Sequence, residues 1–192
     1  MRQHIENIYA SYVDIYGHSP CTQAFQRFLD TDCPLTNRKD FTNGYLVASA
    51  IVWHGPTRTV LRVLHAKIGR WVYSAGGGVN EGELPWQAAE RELLEETGIK
   101  AHPLFDIEYP VPLIINTHTF PAGAVPGKPS HPIFDLIYPF CTEDKQMTID
   151  PKEIKDYRWE SPDNVILEYS PVTLSQQMNR YISANGGDVL VS

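Results

Sequence analysis

The chain has 192 residues, 42% of them hydrophobic and 20% charged, which is the ordinary range for a globular protein and allows one sizeable core. A formal net charge of -7 and a pI near 5.4 exclude a surface built to neutralise a nucleic-acid backbone, because that task needs clustered lysine and arginine. Cys21, Cys33 and Cys141 stand far apart with no C-x-x-C pair, so neither a disulfide framework nor a thiolate zinc site is expected, and a reducing cytoplasm fits.

Residues 1 to 40 read as a helical N-terminal extension. Ile5, Ile8, Tyr9, Tyr12, Val13 and Tyr16 recur at three- and four-residue spacing, and Gly17 ends the pattern. Ser19-Pro20 then supplies a cap and a first-turn proline for a second helix with Ala24, Phe25, Phe28 and Leu29 on its apolar face. Core packing is the favoured use of this aromatic stripe, and a second subunit is the other surface it could meet, so a homodimer is admitted. From residue 41 to 192 the pattern is that of one α/β domain. Tyr45 to Trp53 and Thr59 to Ala66 form a hairpin around His54-Gly55-Pro56. The first of these is also the longest apolar run. It is about half of the ~20 residues a membrane-spanning helix needs, so no membrane association is expected. Trp71 to Ser74 runs extended into Gly76-Gly77-Gly78, read as a functional loop, and Pro85 to Thr97 reads as a helix. Strands are expected over Leu104 to Tyr109, Leu113 to Thr119, His131 to Cys141 and Ile154 to Trp159. Pro121 to Pro132 is a Pro- and Gly-rich loop, a candidate lid or rim. A last helix follows Ser170-Pro171 and carries Leu174, Met178, Tyr181 and Ile182.

On the helix from Pro85, the 3.6-residue period gathers Glu92, Glu95 and Glu96 on one arc and puts Trp86, Leu93 and, further round, Leu94 on another. Ala88 and Ala89 leave room beside the carboxylates. Like charges at these spacings cost a helix about 0.2–0.5 kcal/mol per pair. They also sit just before Gly98, where the helix macrodipole favours cations instead. A divalent cation reverses both penalties, and carboxylate oxygens with substrate phosphates are what magnesium accepts.

A lone E-x-x-E-E is usually a solvated acidic face, but its neighbours change the reading. Outward from the cluster stand Gly77, Glu83, Arg91-Glu92-Leu93, Glu95-Glu96 and Gly98-Ile99, separated by five, seven, one and one residues. At ordinary residue frequencies this set arises by chance in roughly one window in 10⁹, which rules out coincidence. The pattern resembles the Nudix box throughout. The resemblance implies a Nudix-type α/β/α sandwich with a mixed sheet, and hydrolysis of a diphosphate linked to another moiety with Mg²⁺ or Mn²⁺. Carried over by position, it implies Glu92, Glu95 and Glu96 as metal ligands, with Glu92 or Glu96 as base. It further implies Glu83 in support of the metal site, Arg91 pairing with a glutamate, and the carbonyl of Gly76 or Gly77 reaching the metal. Ala75 replaces a common proline, and Leu84 a common Ser or Thr. Leu84 is a poor cap that costs the helix start ~1 kcal/mol, which Pro85 offsets in part.

The substrate side is less specific. Lys67 and Arg70 bring cations into the glycine segment, in an approach resembling that of a bacterial Nudix group, and could meet a distal phosphate. His131, Ile133 and Asp135 share one strand face, and His118 precedes the Pro-rich loop, which makes His118, His131 and Asp135 candidate substrate contacts. Trp53, Trp71, Tyr45 and Tyr73 could stack a base, although aromatic residues serve more often as core. The implied partner is a small nucleotide-type diphosphate. The alternative is a domain of the same fold that binds a nucleotide without turnover, but such domains usually lose box glutamates, and all are present here. A prenyl-diphosphate isomerase reading wants a cysteine near the metal, and none is well placed.

Overall fold

The computed structural model describes residues 1–123, 127–167 and 172–185. Helix α1 (Arg2–Tyr16) buries Ile5, Ile8, Tyr9 and Tyr12, the stripe its periodicity predicts. Gly17 closes it at φ 79, donating its N–H to Val13 O. Ser19 caps α2 (Pro20–Leu29) reciprocally: its Oγ accepts from the Thr22 N–H at 3.2 Å, and its own N–H donates to Thr22 Oγ1 at 2.7 Å.

Eight strands form one curled mixed sheet around β1 (Tyr45–His54). Along its whole length β1 runs parallel to β7 (His131–Thr142). Its other edge is shared. Val47 to Ala50 pair with β4 (Ala75–Gly78), and Trp53 and His54 pair with β2 (Thr59–His65). The expected hairpin is therefore present but paired at two positions only, because β2 peels away to join β3 (Arg70–Val72) on one edge and β8 (Ile154–Glu160) on the other. The far edge of β7 carries β5 (His102–Pro103) and β6 (Ile114–Phe120).

Helix α3 (Pro85–Thr97), α1 and α2 cover one face of this sheet and α4 (Leu174–Asn185) the other, which gives the expected three layers. One apolar cluster joins Ile5 and Phe25 to Leu46, Leu136 and Leu93; the second joins Ile51, Val60 and Ile137 to Leu174, Met178 and Tyr181. Phe28 stacks on Phe134 of β7 at a centroid distance of 4.0 Å, so the N-terminal helices share the core of the sheet. Such a pair adds about 0.5–1.5 kcal/mol beyond area burial. Among the described residues no helix is long and apolar enough to cross a membrane.

Several expectations are corrected. The glycine triplet is a strand of the sheet and not a loop. The strand expected over Leu104 to Tyr109 is absent: β5 ends at Pro103, and only the Leu104 N–H continues toward β7, bonding Pro139 O at 3.0 Å. Beyond it the chain turns to α1 and α3, where Tyr109 stacks on His4 at 4.5 Å and Glu108 O accepts from Trp86 Nε1 at 2.9 Å. Leu94 is 47% exposed, away from buried Leu93, since one further residue rotates it off the sheet. Ala88 and Ala89 are fully buried and let α3 lie close on the sheet; they open no space beside the carboxylates. In the Pro121 to Pro132 segment, 124–126 lie outside the described residues, as do Ser170 and Pro171, and Pro132 already belongs to β7.

Candidate active site

The site forms where the open edge of β4 meets α3. Each glycine of β4 is closely approached, Gly76 by backbone and Gly77 and Gly78 by side-chain ends. A Cβ at Gly76 would overlap Ser49 Oγ and Ala48 O of β1, one at Gly77 the Glu92 carboxylate, and one at Gly78 the Arg38 guanidinium. None of the three has a positive φ, so proximity and not backbone freedom selects glycine here.

Arg91 organises the helix side. Its Nε and Nη2 grip both oxygens of Glu83 at 2.8 and 3.0 Å, its Nη1 reaches Glu92 Oε1 at 2.7 Å and Glu95 Oε2 at 3.4 Å, and Nη2 also donates to Gly78 O at 3.2 Å. The fork geometry of a guanidinium is what allows three carboxylates and a carbonyl to be held at once. Glu83 also accepts from the Asn80 N–H at 2.9 Å. Burial pushes the Glu83 carboxyl up, but the bonds from Arg91 and Asn80 outweigh it and hold the group below its ordinary value. With both oxygens engaged, Glu83 acts as the anchor of the Arg91 clamp. Arg38, from the segment before β1, meets the same Gly78 carbonyl and donates to Asn80 Oδ1 at 2.9 Å. The helix start bears out the weak cap: Leu84 offers no side-chain acceptor, and the one compensating bond runs from its N–H to Gln87 Oε1 at 3.1 Å.

Glu96 is the most perturbed acid at this edge. Burial, then the charges of Glu153 and Glu92, push its carboxyl up to about 8, against the opposing effects of Lys67 and a hydrogen bond from the Gly76 backbone. Glu153 was not singled out by sequence, and nothing in its local pattern distinguishes it from other surface acids. The fold delivers it. The Thr148 and Asp150 N–H groups bond the α3 C-terminal carbonyls of Thr97 and Glu96 at 2.8 and 2.9 Å, and a turn at Asp150 then brings Glu153 round to Glu96. Lys67 binds Glu153 at 2.5 Å, so this predicted substrate cation is occupied by a carboxylate. Glu95 differs from its neighbours, with a side chain 60% exposed. The three box glutamates therefore do not converge fully, and among the described residues no three acidic, histidine or cysteine side chains close into a ready coordination sphere.

The remaining candidates lie elsewhere. Arg70 is exposed on β3 opposite His65, and His118 is exposed on β6 opposite Ile133. His131 is buried among Phe41, Tyr45 and Phe120. Its Nδ1 bonds Pro129 O at 2.7 Å and its Nε2 the Tyr45 hydroxyl at 3.2 Å, which leaves no ring nitrogen for a substrate. Asp135 is buried one strand away from β4, accepting from Ser49 Oγ at 2.9 Å; burial pushes its carboxyl up to about 7. Trp53 and Tyr73 pack against the α4 core, as the preferred reading of the aromatics has it.

The donor set at the β4 edge is all oxygen: Glu92, Glu96, Glu153 and the glycine backbone. Hard oxygen donors around a charge-repelled, half-buried carboxylate suit a magnesium-type ion.

Comparison with known proteins identifies the fold and the family. A NUDIX hydrolase-family structure from Clostridium perfringens superposes with a TM-score of 0.50 at 20% identity, covering 71% of this chain and 95% of that one. The dihydroneopterin triphosphate pyrophosphohydrolase of E. coli (TM-score 0.45, 18% identity, 61% and 80% covered) and a MutT protein from Methanosarcina mazei (0.45, 19%, 74% and 95%) are also similar. No curated protein matches the chain. The NUDIX domain model matches residues 45–181, from the first residue of β1 into α4, and the chain belongs to the NUDIX family.

Proposed function

We propose that this protein is a metal-dependent hydrolase that uses water to cleave the phosphoric anhydride of a nucleoside diphosphate linked to another moiety. The observation that carries the proposal is the half-buried Glu96 carboxyl at the bare edge of β4, bonded by the Gly76 backbone beside Glu92 and crowded by the charges of Glu153 and Glu92. Folding alone does not favour such a group; a bound cation does.

Glu92 and Glu96 would hold a magnesium or manganese ion with Glu153, and Glu95 would reach it by rotating in from solvent. Such an ion polarises phosphoryl oxygens and lowers the pKa of bound water. The chain's own contribution is placement. Arg91, anchored on Glu83, sets the Glu92 rotamer, and Gly77 removes the atom that would displace it. Glu92 or Glu96 would accept the proton of the attacking water.

The test is cleavage of dinucleoside polyphosphates, nucleoside triphosphates, ADP-ribose and nucleotide sugars, followed as their phosphorylated products by chromatography, with and without magnesium. Wild-type protein is expected to turn over at least one of these only with the metal. Glu96→Gln should slow it by about 10²–10³-fold with the fold intact. Inactivity across the whole panel, or wild-type rates in Glu96→Gln, would overturn the proposal.

A further inference from the structure

Beyond the glutamate edge, the face of the sheet that α4 shares carries side chains for which the reaction above has no use. Arg62 of β2 alternates with Val60 of the α4 core, and its cross-strand partner on β8 is Arg158. Two like charges directly opposite destabilise a sheet. The pair is nevertheless built in and braced: Arg62 and Arg158 lie over the Trp71 ring at 5.7 and 4.4 Å, and Arg62 lies 4.9 Å from the Tyr73 ring. One carboxylate, Glu160, pairs with both. Arg158 meets it closely, Arg62 reaches it at 3.4 Å, and the Tyr73 hydroxyl donates to it at 3.1 Å.

The cluster thus keeps one positive charge in excess on a chain of net charge -7, and the buried Arg62 Nε has no hydrogen-bond acceptor among the described residues. Stacking on aromatic rings holds a guanidinium in place without using up its in-plane N–H donors. Paired forks of that kind match the oxygens of a phosphate. The cluster lies on strands whose ends carry Lys67 and Glu153 to Glu96. Tyr73 precedes Gly76 by three residues, an extended reach of about 10 Å, and Gly76 is the residue whose backbone bonds Glu96.

We propose that Arg62 and Arg158, held on Trp71 and Tyr73, form a phosphate-binding subsite that receives a phosphate group of the substrate beyond the scissile anhydride. The proposal rests on the hydrolase reading and narrows it to polyphosphate-bearing nucleotides, such as nucleoside triphosphates or dinucleoside polyphosphates, over nucleotide sugars.

The experiment compares kcat/KM on a dinucleoside tetraphosphate and on a nucleotide sugar for wild type, Arg158→Gln and Arg62→Gln. Each variant should lose about tenfold on the tetraphosphate, chiefly through KM, and change the nucleotide sugar little. Equal losses on both substrates, or none on either, would overturn the subsite. Arg158 is exposed, so its variant serves if Arg62→Gln does not fold. Should wild type hydrolyse neither compound, the hydrolase reading is judged by the full panel above, and calorimetry with inorganic tripolyphosphate in metal-free buffer decides the subsite. Affinity lowered about tenfold by Arg158→Gln supports it, and unchanged affinity overturns it.

Discussion

Two rows of chemistry-bearing side chains cross this molecule and meet different fates. At the β4 edge, Glu92, Glu95 and Glu96 stay at least partly accessible and are positioned by Arg91 and the glycines. In β7, flanked by β1 and β6 and covered on both faces, His131 and Asp135 are drawn into the core. The residue types are equally suggestive in both places. What separates them is the position of the strand: an edge leaves polar atoms to solvent and ligand, whereas a central strand shuts them off from water, and Asp135 Oδ1 is left there without a partner among the described residues.

That contrast can be broken from either side. After Glu96→Gln, the largest effect should come from Arg91→Lys. Lysine supplies a point charge without the fork, so Glu83 and Glu92 lose their common anchor. We expect turnover to fall about 10–100-fold and stability by about 1.5–3 kcal/mol. Steady-state kinetics beside urea unfolding measures both, and undiminished turnover would mean that the clamp positions nothing.

His131→Ala should do the reverse. Losing two hydrogen bonds and its ring contacts should cost about 1–3 kcal/mol of stability, while kcat stays within about threefold of wild type. A collapse of kcat in protein that is still folded would return His131 to the substrate site.

Asp135 gives the finest discrimination, through pH. Burial raises its folded-state pKa from 3.8 to about 7, so the native state holds the proton more tightly than the unfolded chain does. Its contribution is therefore fully present below about pH 4, is lost as the pH rises toward 7, and is constant above that. The slope approaches about 1.4 kcal/mol per pH unit inside the window. Asp135→Asn should flatten that stretch of the stability profile, measured by denaturation at fixed pH steps. An identical slope in the variant would show that other groups set it.

The layered fold was legible in advance because its period signals are strong: the stripe of α1, the Ser19-Pro20 cap and the apolar runs of β1 and β7 each dictate an element locally. The segment after Pro103 misled, since Leu104, Phe105 and Ile107 look like a strand until α1 and α3 compete for it.

By itself the sequence determined the family, the glutamate helix and the pairing of Arg91 with a glutamate, since these depend on spacing along one helix and its flanking loop. Only the tertiary structure brought Glu153 to Glu96, gave Lys67 to Glu153, and set Arg62 opposite Arg158. It alone also turned the glycine triplet into a strand whose bare edge admits Glu92. Those contacts join residues far apart in the chain. Their energies come from burial, charge and close approach, which no local pattern encodes.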